Sequence, residues 1–178
     1  MSSRALSEAT HSRLAAARDF LDGNAIPWEP GVRAGELVVM LAGEHKQRTV
    51  CSLVLSERSV SVSAFVIRHP DENHAQFYRY LLRRNLRLPG LAYAADAQGD
   101  VFVTGQVPAS AFDAAYLDAV LGVVLEAADG AFNDLLALGF LSSMRREWAW
   151  RVSRGESTAN LAAFRHLLEP AADHGSEG

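Results

Sequence analysis

The sequence predicts an α+β fold in which helices pack on an antiparallel sheet of five strands. Three strand-like segments follow one another in the first half of the chain, with links too short for the crossover that parallel strands need. Two further strands flank a turn at residues 96–99, where Gly99 can supply a positive φ. Helical patterns precede the three strands, separate them from the two-strand hairpin, and follow the hairpin. The predicted order is therefore α-β-β-β-α-β-β-α plus C-terminal helices.

The first helix is predicted from about Ser7 to Asp22, with Ser7 as its cap and Gly23 as its end. Prolines on both sides of Trp28 then predict a loop. Three strands follow, at residues 36–41, 48–55 and 59–67. The third alternates most regularly, because small apolar residues face one side and serines face the other.

The second helix is predicted to begin just after Pro70, where Asp71 and Glu72 would complement its dipole. Its apolar stripe has three- and four-residue spacing and consists of Phe77, Tyr78, Leu81 and Leu82. The hairpin strands follow at residues 91–95 and 100–107.

The last third of the chain has helical periodicity. Ser110 is the expected cap of its first helix, with Asp113 three positions on. Asp129-Gly130 and Gly139 are expected to bend or break the run. We therefore predict one domain over residues 1–178, with a core at about 7–140, a C-terminal helical extension at 141–168 and a frayed tail at 169–178.

Composition restricts the possible functions. The chain has 178 residues and a formal net charge of -4, which disfavours binding to the phosphates of nucleic acid. Its single cysteine, Cys51, rules out an internal disulfide and a cysteine-rich metal site. No apolar run approaches the ~20 residues that span a bilayer, so no membrane association is expected. A cytoplasmic location is the simplest expectation.

Three segments carry a family resemblance: the strand and turn SVSAFVIRHPDEN, the helix FYRYLLRRN and the hairpin LAYAADAQGDVFVTGQVP. Together they resemble the YbjN-domain family of bacteria, described as sensory transduction regulators with a fold similar to type III secretion chaperones. The resemblance extends over roughly Leu14 to Leu168. It implies the α+β order above and a homodimer that presents a groove to a partner polypeptide. It implies no reaction and no cofactor.

Two surfaces are candidates for these contacts. The expected self-association residues lie on the second helix and are Phe77, Tyr78 and Leu81. The expected partner surface combines an arginine stripe with an aromatic cluster and consists of Arg79, Arg83, Arg84, Trp150 and Arg151. A solvated helix face is the alternative for the arginines. Trp148 and Trp150 point about 200° apart on a helix, so one can pack inside while the other faces a partner.

The residues with reactive side chains have structural explanations. His69 and His74 are five apart and lack the spacing of helical metal sites. Cys51 lies in an apolar strand and is expected in the core. Asp96 and Asp100 flank a glycine and suit a turn. No catalytic or metal-binding residue is predicted.

The favoured function is a non-enzymatic adaptor, chaperone-like or regulatory, that binds a polypeptide partner as a homodimer. The alternative is a small-ligand sensor or an enzyme with a pocket between the sheet and the C-terminal helices. A pocket with convergent ionisable groups would favour the alternative, and an exposed apolar groove would favour the adaptor.

Overall fold

The computed structural model describes residues 6–169. Its strands are β1 (Trp28–Pro30), β2 (Glu36–Ala42), β3 (Arg48–Leu55), β4 (Ser59–Ile67), β5 (Ala92–Ala95) and β6 (Val101–Pro108). They form one antiparallel sheet in the order β1-β2-β3-β4-β6-β5. The helices are α1 (Glu8–Gly23), α2 (His74–Asn85), α3 (Ala114–Leu125), α4 (Phe132–Gly139), α5 (Leu141–Arg154) and α6 (Arg165–Leu168). The α+β fold with an antiparallel sheet is confirmed.

The sheet has six strands rather than five, because the proline-flanked segment at Trp28 is also a strand. Trp28 pairs with Val39, and Pro30 pairs with Leu37. β1 has only three residues and lies at the edge of the sheet. Proline is tolerated there because its missing N–H removes no central ladder bond.

One face of the sheet is buried in the core, and the predicted alternation explains why. In β4 the residues Val60, Val62 and Ala64 are buried, while Ser61 and Ser63 on the opposite face are partly exposed. The strand bounds predicted for β3 and β4 match the observed ones. The buried face packs with α1 and α3 into the main core.

The predicted N-terminal cap is correct for α1 and wrong for α3. The Ser7 hydroxyl accepts a hydrogen bond from the Thr10 N–H, as predicted for the start of α1. α3 is capped by Asp113, whose carboxylate accepts from the Tyr116 N–H at 2.8 Å. The expected cap at Ser110 is wrong, because Ser110 lies within a 3₁₀ turn that precedes α3.

Asp71 and Glu72 bind a different helix from the one predicted. α2 begins only at His74, and both acids lie before it. Glu72 accepts hydrogen bonds from the N–H and the hydroxyl of Ser142 at 2.6 and 2.7 Å, at the N-terminus of α5. These bonds lower the pKa of Glu72. Hydrogen bonds from Arg68 and Ser143 lower the pKa of Asp71 to about 2.

A buried carboxylate connects the helical layer to the β2–β3 loop. Asp129 lies in a π-helical turn, Glu126–Gly130, at the predicted break after α3. It accepts hydrogen bonds from the backbone N–H groups of Glu44, His45 and Lys46 at 3.0, 3.0 and 2.6 Å. Burial alone would raise the pKa of Asp129, but these three bonds outweigh it and lower the pKa.

The C-terminal helices form a second, smaller core. α5 is capped by Gly155, whose positive φ of 67° ends the helix. The sequence predicts this break in the helical pattern at Gly155. A 3₁₀ segment (Ala159–Phe164) and α6 then fold back on α5. The buried residues of this core are Met144, Trp148, Leu161, Phe164 and Leu168. The expected frayed tail lies outside the described residues, apart from Glu169.

No helix within residues 6–169 has the length and apolar character needed to cross a bilayer. The division into one domain with a C-terminal extension stays a prediction.

Candidate partner-binding groove

A groove of about 910 Å³ runs along α2, bounded on its other side by the π-helical turn and α4. Three of the predicted partner-surface residues line it, namely Arg79, Arg83 and Arg84. The i, i+4 spacing of Arg79 and Arg83 on one helix explains why they face the same way. Glu126 and Asp134 belong to the opposite wall.

The arginines of this groove differ in how they are used. Arg84 is partly buried and forms an ion pair with Glu126 at 3.0 Å. Arg79, Arg83 and Arg87 are exposed, and none of them forms an ion pair with any residue between 6 and 169. Three cations are therefore available to a partner, and Arg84 holds the two walls of the groove together.

A hydrogen-bonded chain fixes the floor of the groove. Arg84 donates to the Tyr80 hydroxyl at 3.3 Å, and that hydroxyl donates to Asp134 at 2.6 Å. Burial and the hydrogen bond to Asp134 raise the pKa of Tyr80 to about 12. The tyrosine therefore stays protonated at neutral pH and keeps α2 attached to α4.

Two leucines face solvent, one within α2 and one just after its C-terminal end. Leu82 is 67% exposed, and Leu86 is 89% exposed. Leu82 belonged to the predicted apolar stripe, but it follows Leu81 by one position and so points about 100° away from it. Leu86 lines the groove, whereas Leu82 does not. Exposed leucine beside unpaired arginine is the combination that a polypeptide with apolar and acidic side chains can contact.

The predicted self-association residues are mostly inside the protein. Phe77 and Leu81 are 0% and 3% exposed, so neither side chain is accessible to a second copy in this fold. Tyr78 is half-buried, and its hydroxyl donates to the Gly99 carbonyl at 3.1 Å. These three residues attach α2 to the core, which corrects the location expected for a dimer contact.

The aromatic cluster of α5 divides as the helical geometry predicts. Trp148 is buried in the second core, and Trp150 is 46% exposed. The guanidinium of Arg154 lies 5.0 Å from the centre of the Trp150 ring. Arg151 forms an ion pair with Glu147 at 2.8 Å and also donates to the Ser157 carbonyl. Neither Trp150 nor Arg151 lines the groove, so the two halves of the predicted partner surface are separate.

The C-terminus of α2 blocks one edge of the sheet. The Asn85 amide accepts from the Tyr93 N–H at 2.7 Å and donates to the Tyr93 carbonyl at 3.4 Å. These backbone groups belong to the edge strand β5. The side chain thus takes the place of a neighbouring strand and discourages pairing with another chain there. A partner is better accommodated along α2 than by adding a strand at this position.

The remaining candidate residues have structural roles. Asp96 accepts hydrogen bonds from the Gln98 and Asp100 N–H groups, so it organises the hairpin turn as predicted. The Nε2 atoms of His69 and His74 lie 3.2 Å apart, in contact with each other. Within the described residues no cluster of three or more metal-ligating side chains occurs. Cys51 is in the core, and burial raises the pKa of its thiol to about 12.

Comparison with known proteins now identifies the family. A family model described as "Putative bacterial sensory transduction regulator", YbjN, matches residues 16–137. The chain belongs to the YbjN family. The match ends within α4, so α5 and α6 lie beyond it.

Similar relatives occur in mycobacteria. The uncharacterized protein Rv0487 of Mycobacterium tuberculosis is 54% identical over 138 residues, which is 78% of this chain and 75% of that protein. The uncharacterized protein ML2442 of Mycobacterium leprae is 50% identical over 137 residues, or 77% of this chain and 74% of that protein.

Solved structures with the same fold include type III chaperone-like proteins. The HopA1–SchA chaperone–effector complex matches with a TM-score of 0.53 and 13% identity, over 71% of this chain and 97% of that one. The ExsC–ExsE complex matches with a TM-score of 0.50, 18% identity and coverage of 73% and 97%. YbjN from E. coli matches with a TM-score of 0.50, 12% identity and coverage of 70% and 91%. At these identities the likeness shows the fold alone.

Proposed function

We propose that this YbjN-family protein is a non-enzymatic adaptor that binds, in the α2 groove, a segment of a partner polypeptide that carries acidic and apolar side chains. The observation that carries the proposal is that the unpaired arginines Arg79 and Arg83 line the same groove as the exposed Leu86. The exposed Leu82 lies on the same helix, outside the groove lining. Acidic side chains of a partner would pair with the arginines, and apolar side chains would cover the leucines. The net charge of -4 makes nucleic acid a poorer match for the same stripe.

The solved structures of this fold are consistent with such a role. Two of those with a similar fold are complexes, and one is named a chaperone–effector complex. Their partners are their own, and the present chain shares only the architecture with them. What this architecture offers here is a rigid sheet that holds α2 in place while one side of the helix stays open to solvent.

The ionisable groups also favour binding over catalysis. The carboxylates with a lowered pKa, Glu36, Asp71, Glu72 and Asp129, accept hydrogen bonds from the chain itself. The single thiol is buried with a raised pKa, the opposite of an activated nucleophile. These groups are therefore committed to holding elements together. The proposal places the protein in the cytoplasm, where that thiol would stay reduced.

Self-association belongs to the same proposal but has its own test. Light scattering at tens of micromolar should report a mass near twice the 19.3 kDa of one chain. A monomeric mass would remove the homodimer and leave the groove untouched, because the groove is complete within one chain.

Selection from a displayed peptide library tests the groove directly. Peptides enriched by the native protein should carry Asp or Glu beside Leu or another apolar residue. The double charge reversal Arg79→Glu with Arg83→Glu should weaken the selected peptides by about tenfold or more, because two attractive pairs become repulsive.

The matched control reverses two exposed arginines outside the groove, Arg48→Glu with Arg58→Glu, and changes the net charge equally. If the control weakens binding as much as the groove variant, or if enriched peptides lack acidic residues, the proposed groove is wrong. Enrichment that disappears steeply with salt and is competed by DNA would point to nucleic acid instead.

A further inference from the structure

A second cavity lies between the sheet and the C-terminal helices, which is the location that the ligand-sensor alternative predicts. It has a volume of about 410 Å³ and lies between the end of β4, the β2–β3 loop, α4 and α5. Its size is at the lower end of the range of small-molecule sites. Most of its lining is apolar: Phe65, Ile67, Phe132, Leu136, Phe140 and Met144.

Two cations line this cleft, Lys46 and Arg68, and Lys46 is the only lysine of the chain. The Nζ atom of Lys46 donates hydrogen bonds to the carbonyls of Phe65 and Val66 at 2.7 and 3.0 Å. β4 has a β-bulge between Phe65 and Ile67, where the register with β6 shifts. Because an ammonium group carries three N–H donors, two go to the bulge and one remains.

The charge of Lys46 is not neutralised locally. Among residues 6–169 no carboxylate lies within 4 Å of its Nζ atom. Asp129 is near enough to act on it electrostatically, but burial is the larger influence and lowers the pKa of Lys46. The Asp129 oxygens are already occupied by backbone N–H groups of the loop.

The other charged groups at the cleft have partners. Arg68 forms an ion pair with Asp71 at 2.7 Å, and Glu147 forms one with Arg151 at 2.8 Å. The cleft therefore combines apolar walls with one unpaired positive charge and one free donor. A single ammonium suits a monoanion better than a phosphate group, which carries more charge and more acceptor oxygens.

We propose that this cleft binds a small aliphatic monocarboxylate, with its carboxylate on the Lys46 Nζ atom and its hydrocarbon chain against Phe132, Leu136 and Phe140. The proposal is independent of the α2 groove, since no residue lines both cavities. It places a ligand where β4 meets the C-terminal helices that extend beyond the family match.

Decanoate and 1-decanol are the matched probes, because they share a chain length and differ in the charged head group. Protein labelled with ¹³C-lysine gives one Lys46 ε-carbon signal, since the chain has no other lysine. Decanoate should shift this signal saturably. Calorimetry should show decanol binding at least about tenfold more weakly, the size expected for losing a charge-assisted hydrogen bond.

Two variants complete the test. Lys46→Met keeps the apolar stem and should weaken decanoate about tenfold or more, while Leu136→Phe should weaken both probes by narrowing the cleft. If Lys46→Met does not fold, the comparison of the two probes on the native protein decides. Equal binding of decanoate and decanol would overturn the proposal. So would a failure of decanoate to bind the native protein at about 1 mM.

Discussion

Replacing Asp129 by asparagine tests whether one buried carboxylate holds the β2–β3 loop to the helical layer. Its two oxygens accept three backbone N–H bonds, from Glu44, His45 and Lys46, and a fourth contact from the His45 ring. In the variant one oxygen becomes an NH₂ group, which places a donor against the donors of the loop. At least one N–H then loses its acceptor, and the remaining bonds lose the help of the negative charge.

The expected loss of stability follows from these bonds. A donor left unsatisfied costs about 1–3 kcal/mol, and hydrogen bonds to charged groups contribute more than neutral ones, so we expect Asp129→Asn to cost about 2–3 kcal/mol. For a chain of this size the midpoint of thermal unfolding should fall by about 5–10 °C. Calorimetry or circular dichroism measures this change. Asp118→Asn is the control, since Asp118 is exposed on α3 and should change stability by less than about 0.5 kcal/mol.

The pH dependence gives an independent check with a definite sign. The pKa of Asp129 is lowered in the folded protein, so its contribution is fully present above the unfolded value of about 3.9. It is lost as the pH falls through the lower folded value. The stability gap between native protein and Asp129→Asn should therefore shrink under acid conditions. A gap that is no larger than the control's at neutral pH, or that widens in acid, would refute this account.

Three further predictions concern other parts of the fold. Asn85→Ala should cost about 1–2 kcal/mol, because it frees both backbone groups of Tyr93 at the sheet edge, and turbidity should show increased aggregation. Trp148→Ala should cost about 3–5 kcal/mol by emptying the second core, whereas Trp150→Ala should cost less than about 1 kcal/mol; similar losses in urea unfolding would contradict the assigned burial. Cys51 should resist a thiol reagent at pH 8 until urea unfolds the chain, since its pKa is about 12, and rapid labelling of native protein would exclude a core thiol.

The strands were predictable because their signal is local. Val60, Val62 and Ala64 alternate with serines, and one face of an antiparallel sheet must be apolar if it covers a core. β1 was not predictable by the same rule, since three residues beside prolines show no alternation. Its pairing with β2 depends on a neighbour that local sequence does not specify.

The acidic residues show where local reasoning fails. Asp71 and Glu72 stand just before α2, and a helix start is the usual place for acids. They do complement a helix N-terminus, but it is that of α5, about seventy positions along the chain. Asp129 is similar, because its three N–H partners lie in a loop more than eighty positions earlier. Composition near a residue cannot identify a partner at that distance.

The candidate groove was only partly predictable. Helical spacing placed Arg79 and Arg83 on one exposed face, and the structure agrees. Arg84 follows immediately and turns inward to Glu126, a partner that depends on how the π-helical turn packs. Leu82 seemed from its spacing to belong to the core stripe, but α2 is covered on one side only. Its burial depends on the position of α4, which the periodicity of α2 does not reveal.

The β2–β3 loop links two features that the sequence did not predict, namely the buried Asp129 carboxylate and the Lys46 cation at the cleft. Asp129 binds the Lys46 N–H at 2.6 Å, and the Lys46 side chain then reaches the carbonyls at the bulge in β4. Lys46 therefore contacts the helical layer through its backbone and the sheet through its ammonium group. Because the carboxylate fixes the start of the side chain and the bulge fixes its end, the cation is held at the cleft without being neutralised. A loop that only connected two strands would need neither contact.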